Sequence, residues 1–247
     1  MRISFSRALL TGALVTGLVG SAVYASENND EKKETKKQYY QVVTESKNIV
    51  KSGKIKVEVV KEKEHSAEVE VNLIVQSQLL DQESLEEYRK KMPQYLKSLH
   101  NKGYKKTPVV ITLNSPLKLN NFEEFVKDKN IEVERFYIRT IDKNGNSGTI
   151  SGIPSENDLV PKDKLKEFLN GAEVVGIYSI EGNISTDETA FNQLSKDNNV
   201  FLADISKKVI EEEVLNSIDF KKLKDKNEKI HIDVNIPNFY WFIEKNK

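Results

Sequence analysis

Three histidines, His65, His100 and His231, are the side chains best suited to acid–base work near neutral pH, and no two of them stand at a metal-ligand spacing such as H-x-x-x-H. His65 falls at a charged hairpin tip, His100 near a helix end and His231 in a late strand, so each reads as a surface or helix-end residue. Serine chemistry has no better footing. No G-x-S-x-G is present, and Ser52-Gly53 and Ser151-Gly152 sit in a turn and a strand. No phosphate-binding glycine loop occurs either. The run Asp142-Lys143-Asn144-Gly145-Asn146-Ser147-Gly148 places oxygen ligands at alternate positions, as the start of a calcium loop does. However, Ser147 occupies the place that needs Gly, and Ile153 the place that needs a bidentate Glu. A hairpin turn explains the same residues. With 38 Asp and Glu in the chain, close carboxylates such as Glu123-Glu124 or Glu211-Glu212-Glu213 read as solvated faces. The absence of cysteine excludes thiol nucleophiles and thiolate metal sites. No catalytic constellation, cofactor or metal ligand set is therefore expected. The remaining enzymatic alternative is a hydrolase whose residues meet only in space.

Composition narrows the partners. The 247 residues carry a net charge of +0, which gives no field for nucleic acid. Arg2 and Arg7 precede the uncharged apolar stretch Ala8 to Gly20, and Val23-Tyr24-Ala25 puts small residues three and one before a cut. This pattern predicts a signal peptide over 1–25, cleaved between Ala25 and Ser26. The mature chain would hold 36 basic and 38 acidic residues and lie outside the cytoplasm, secreted or associated with the cell envelope. The alternative is an uncleaved anchor over 8–25, the only segment expected to touch a membrane. Residues 26–38 are too polar to offset their ordering entropy and read as a tether.

The elements that could position any site centre on Val174 to Ile205. Val174 to Ile180 is β-rich, Ser185-Thr186-Asp187-Glu188 has the S-x-x-E form of a capping box, Phe191 and Leu194 share a helix face, and Val200-Phe201-Leu202-Ala203 is a buried strand. A similar phrase precedes it. Val109 to Leu113 forms a strand, Asn121 with Glu124 can cap a helix bearing Phe122, Phe125 and Val126, and a second strand runs from Ile131 to Ile141. Two such units make a ferredoxin-like β-α-β-β-α-β plan within an α+β class, with both helices on one face of the sheet.

The remaining segments flank or interrupt that plan. Ile55 to Val60 and Val69 to Val75 alternate as a hairpin with a solvated face. A helix opens at Asp81 and Ser84, carries Leu85, Tyr88, Met92, Leu96 and Leu99, and ends at Gly103; Pro93 inside it predicts a kink or a break near Lys91. Residues 146–171 form an insertion: a strand over Thr149 to Ile153 pairing back on its predecessor, then a short helix after Pro161 with Leu165, Phe168 and Leu169. The expected divisions are a hairpin-and-helix region over 39–104, the ferredoxin-like domain over 105–206, and a helix with an aromatic tail over 207–247. Phe239, Tyr240, Trp241 and Phe242 cannot all face solvent quietly. They either close the core or form an exposed patch for a partner, a protein being the expected class.

The spacing Phe191, Leu194, Asp197, Val200 and the order of elements over 108–205 resemble the inhibitory propeptide domain of subtilisin-like peptidases. The resemblance implies a peptidase inhibitor or folding assistant. The chain departs from that family in its insertion and in the 42 residues that follow Ile205.

Overall fold

The computed structural model describes residues 40–43, 56–60, 68–74, 81–216 and 229–245. The expected signal peptide, the Ala25/Ser26 cut and the tether lie outside the described residues. No helix among the described residues is long and apolar enough to cross a membrane.

In chain order the elements are β1 (Tyr40–Val43), β2 (Lys56–Val60), β3 (Glu68–Ile74), α1 (Gln82–Asn101), β4 (Lys106–Leu117), α2 (Leu119–Asp128), β5 (Glu132–Ile141), β6 (Ser147–Gly152), α3 (Lys162–Leu169), β7 (Glu173–Ser185), α4 (Glu188–Ser195), β8 (Val200–Asp204), α5 (Ser206–Leu215), β9 (Lys229–Asn235) and α6 (Tyr240–Lys245). They fall into two compact units. One contains a three-stranded sheet in which the antiparallel pair β2 and β3 is joined by β9, parallel to β3. The other contains a six-stranded sheet of order β1-β6-β5-β7-β4-β8. The units do not follow the divisions expected from chain order. The hairpin shares its unit with a strand from late in the chain, whereas α1 and the aromatic tail belong with the larger sheet.

Within the larger unit, β4-α2-β5 and β7-α4-β8 are the two expected repeats, and the order β5-β7-β4-β8 is the ferredoxin-like one, every neighbouring pair antiparallel. The insertion supplies β6, which pairs back on β5 from Phe136↔Gly152 to Ile141↔Ser147 and is itself flanked by β1. The Asp142 carboxylate is spent inside the connecting turn, accepting from the backbone N–H groups of Asn144 and Asn146, and Gly145 supplies the positive φ that the turn requires.

Two rows across the sheet show why it needs cover on both faces. Ala203, Ile111, Ile180 and Phe136 stand in register on β8, β4, β7 and β5; the next row is Leu202, Thr112, Ser179 and Tyr137, pointing the opposite way. Phe122 of α2 packs on the first row, its ring 5.6 Å from that of Phe136. The exits of the two repeat helices, alike in sequence, are tied together by Lys129 Nζ to Asp197 Oδ2 at 2.8 Å. Burial pushes the Asp197 carboxyl up, but the Lys129 ammonium brings it net below the usual range. Leu194 of α4 is 2% exposed. Leu194→Ala is expected to cost about 2–5 kcal/mol, read as a shift of the urea midpoint.

Several local expectations shift. The α4 cap is Asp187, whose side chain accepts from the Ala190 N–H, not Ser185. Ser185 still belongs to β7, because Lys106 pairs with it across β4. Helix α2 begins two residues before Asn121, since the Phe122 N–H already bonds to the Lys118 carbonyl and Leu119 adds to the apolar stripe. Helix α1 runs unbroken through Pro93, which sits on its exposed face, while Met92, Leu96 and Leu99 hold the other side to the core. Its Asp81/Ser84 capping box and its left-handed Gly103 stand where the sequence puts them.

Candidate functional site

A groove of about 320 Å³ runs beside β8, the end strand of the larger sheet, where α1 and α4 flank it. Met92, Phe191, Val200, Phe201 and Leu202 give it apolar walls; Arg89, Asn114 and Ser195 give it a polar rim. Phe201 is an extra residue in β8, since Val200 pairs with Leu113 and Leu202 with the adjacent Thr112. Such a bulge twists an edge and turns a carbonyl outward. Arg89 meets that carbonyl through Nη2, lays its guanidinium 4.3 Å from the centre of the Phe201 ring, and holds Glu86 Oε1 at 3.1 Å through Nη1. Its Nε is buried and has no hydrogen-bond partner among the described residues.

Two buried polar clusters lie elsewhere in the same unit. At the end of β8, Asp204 is 1% exposed; its Oδ2 accepts from the Tyr88 hydroxyl at 2.7 Å and its Oδ1 from the Ser206 N–H at 2.9 Å. Burial raises the Asp204 carboxyl, opposed by the bonds from Ser206 and Tyr88; burial and the Asp204 charge both raise the Tyr88 hydroxyl. The group therefore ties α1 to the start of α5. A carboxyl raised above its unfolded value favours folding below the unfolded pKa of about 3.9, and that contribution is lost as pH rises through the folded value. Asp197, being lowered, has the opposite sign. Asp204→Asn keeps an acceptor and a shape match while removing the buried charge. The difference in stability between variant and wild type is expected to grow in the variant's favour from about pH 4 upward; a pH-independent difference in denaturation midpoints would refute this.

The second cluster holds down the aromatic tail. Tyr178 is an extra residue in β7, between positions paired with Tyr137 and Ile138, and the bulge turns it onto the Tyr137 face. Its ring lies 4.5 Å from that of Tyr240. Arg139, 5% exposed, donates to Thr149 Oγ1 at 2.9 Å and to Glu244 Oε2 at 2.6 Å, with its guanidinium 4.8 Å from the Tyr178 ring. The Phe239 N–H donates to Thr112 Oγ1 at 2.9 Å. Phe239, Tyr240 and Phe242 are thus buried against the sheet, and Trp241 is half-buried, edge-on to Phe242. The four do not form an exposed patch, because three of the rings are buried and the segment is docked on the larger sheet through Thr112 and Tyr178.

No family model, curated protein or solved structure matches this chain. Of the sequence candidates, His65 and Ser52 lie outside the described residues, and His231 sits in β9, on the smaller sheet. His100 is exposed, its Nδ1 3.4 Å from Thr186 Oγ1. Glu123 pairs with Lys162 at 2.9 Å. No group of three His, Cys, Asp or Glu that could hold a metal gathers among the described residues. Sequence reasoning missed Arg89, Asp204 and Arg139. Arg139 and Asp204 carried a usable signal, a charge within or directly after an apolar strand; Arg89, on the flank of an amphipathic helix, carried none.

Proposed function

We propose that this chain is an exported, non-enzymatic binding protein that takes an extended segment of a partner protein into the groove beside β8. The observation that carries the reading is the groove itself: apolar walls and a polar rim lie along a strand that, among the described residues, has β4 as its only neighbour in the sheet. An end strand offers backbone groups to an added strand, and alternate side chains of that strand can enter flanking pockets. The two buried polar clusters serve architecture, one anchoring α5 and the other α6. The leader-like segment over 1–25 supports export.

Panning a displayed library of random short peptides against the full chain tests the proposal. Peptides with alternating apolar residues are expected to be enriched, and Ser195→Arg, which fills the rim, to abolish their binding. Failure to enrich, or binding indifferent to Ser195→Arg, would remove the reading. The ferredoxin-like strand order, with Phe191, Leu194 and Val200 all buried, favours peptidase inhibition as a second reading. After β8 the chain enters α5 rather than an extended tail, so inhibition of a subtilisin-like peptidase is not expected. Tight inhibition in a standard assay would reverse the order of the two.

A further inference from the structure

We propose that Arg89 is a displaceable plug on the β8 edge, and that the partner segment carries a carboxylate that draws it away. This inference rests on the groove reading and names the chemistry of the ligand. In the free protein the guanidinium closes the edge in two ways: Nη2 occupies the carbonyl of Phe201, and the group lies over the Phe201 ring. Cover from a neighbouring helix, here through Arg89 of α1, and a bulge on an end strand are both devices that prevent unwanted strand pairing.

The plug fits its resting place incompletely. Nε and Nη2 lie on the same edge of a guanidinium and together form a two-pronged donor. Here Nη2 is satisfied by a neutral carbonyl, while Nε is buried without a hydrogen-bond partner among the described residues. Glu86 holds Nη1, at the other corner, and so leaves that two-pronged edge without a carboxylate. A ligand carboxylate can accept from Nε and Nη2 at once. The exchange replaces one neutral acceptor with a charge-assisted pair and frees the Phe201 carbonyl for a backbone N–H of the incoming strand. Opposite charge therefore opens the edge, and an uncharged peptide must compete with the plug.

The panning experiment separates this inference from the reading it rests on. Peptides selected on the wild-type chain are expected to share an Asp or Glu at one fixed position. Resynthesis with Asn or Gln there should weaken binding to the wild type at least tenfold. Against Arg89→Gln, which removes the charge and opens the carbonyl, the acidic and amide peptides should bind equally. Arg89→Lys keeps the charge but lacks the two-pronged edge, and should lose most of the preference. Thermal melts of both variants establish that they fold. Enriched peptides without a fixed acid, or an acid preference that survives Arg89→Gln, would overturn the plug and leave the groove standing. Absence of any enriched peptide would overturn both.

Discussion

Truncation after Val234 is expected to unfold the six-stranded unit. Three buried rings leave with the segment, Phe239, Tyr240 and Phe242, at 3%, 4% and 9% exposure. Aromatic side chains bury about 150–250 Å² each, and at about 25 cal/mol per Å² three of them contribute on the order of 10 kcal/mol. That is comparable to the whole stability of an ordinary domain, about 5–15 kcal/mol. The loss is compounded because Arg139, 5% exposed, gives up its Glu244 partner, and the Thr112 hydroxyl loses the Phe239 N–H. Far-UV circular dichroism in urea distinguishes the outcomes: no cooperative transition is expected for the truncated chain, and an unchanged midpoint would mean that the tail contributes nothing to the core. In the intact chain Trp241 is the sole tryptophan and packs edge-on to Phe242 at 5.8 Å. Its emission should shift to the red in the same transition that unfolds the sheet, since the docked tail and the sheet form one cooperative unit.

Phe122→Ala is expected to cost about 3–5 kcal/mol, the largest effect of any single truncation on α2. The ring is 0% exposed and meets Phe136, also 0% exposed, in a tilted pair across the helix–sheet boundary. Little around it can collapse into the space, because the neighbouring positions on the sheet, Ile111 and Ile180, are held in register by strands on either side. Phe168 of α3 is only partly buried and serves as the comparison; its replacement by Ala should cost clearly less. Equal losses in equilibrium denaturation would show that the insertion, and not the α2 face, holds this edge of the core.

The ferredoxin-like plan was legible because each of its signals is local. Period-two runs such as Val109 to Leu113, the three- and four-residue spacing of Phe122, Phe125 and Val126, and the turn at Asp142 to Gly145 all act through neighbours a few residues apart. Local signals also gave the insertion, since β6 follows β5 through a tight turn and must pair with it. They were less exact at boundaries. Asp187 caps α4 in place of Ser185 because pairing between β4 and β7 keeps Ser185 in the strand, and no propensity within the segment encodes that pairing.

What the sequence by itself determined about this protein is therefore most of the elements, the α+β class and the strand order implied by two β-α-β repeats; β1 and α6 were not legible as a strand and a helix. Tertiary structure alone decided which distant segments meet. β9 joins β3 and β1 joins β6 through backbone hydrogen bonds that any two strands can make, so nothing in either strand announces its partner. The aromatic run reads as core or as patch until the segment is seen buried on the sheet, with the Phe239 N–H on Thr112. Arg89, Asp204 and Arg139 owe their environments to residues roughly a hundred positions away, Phe201, Tyr88 and Glu244, and the chemistry of a buried charge is set by what surrounds it in space.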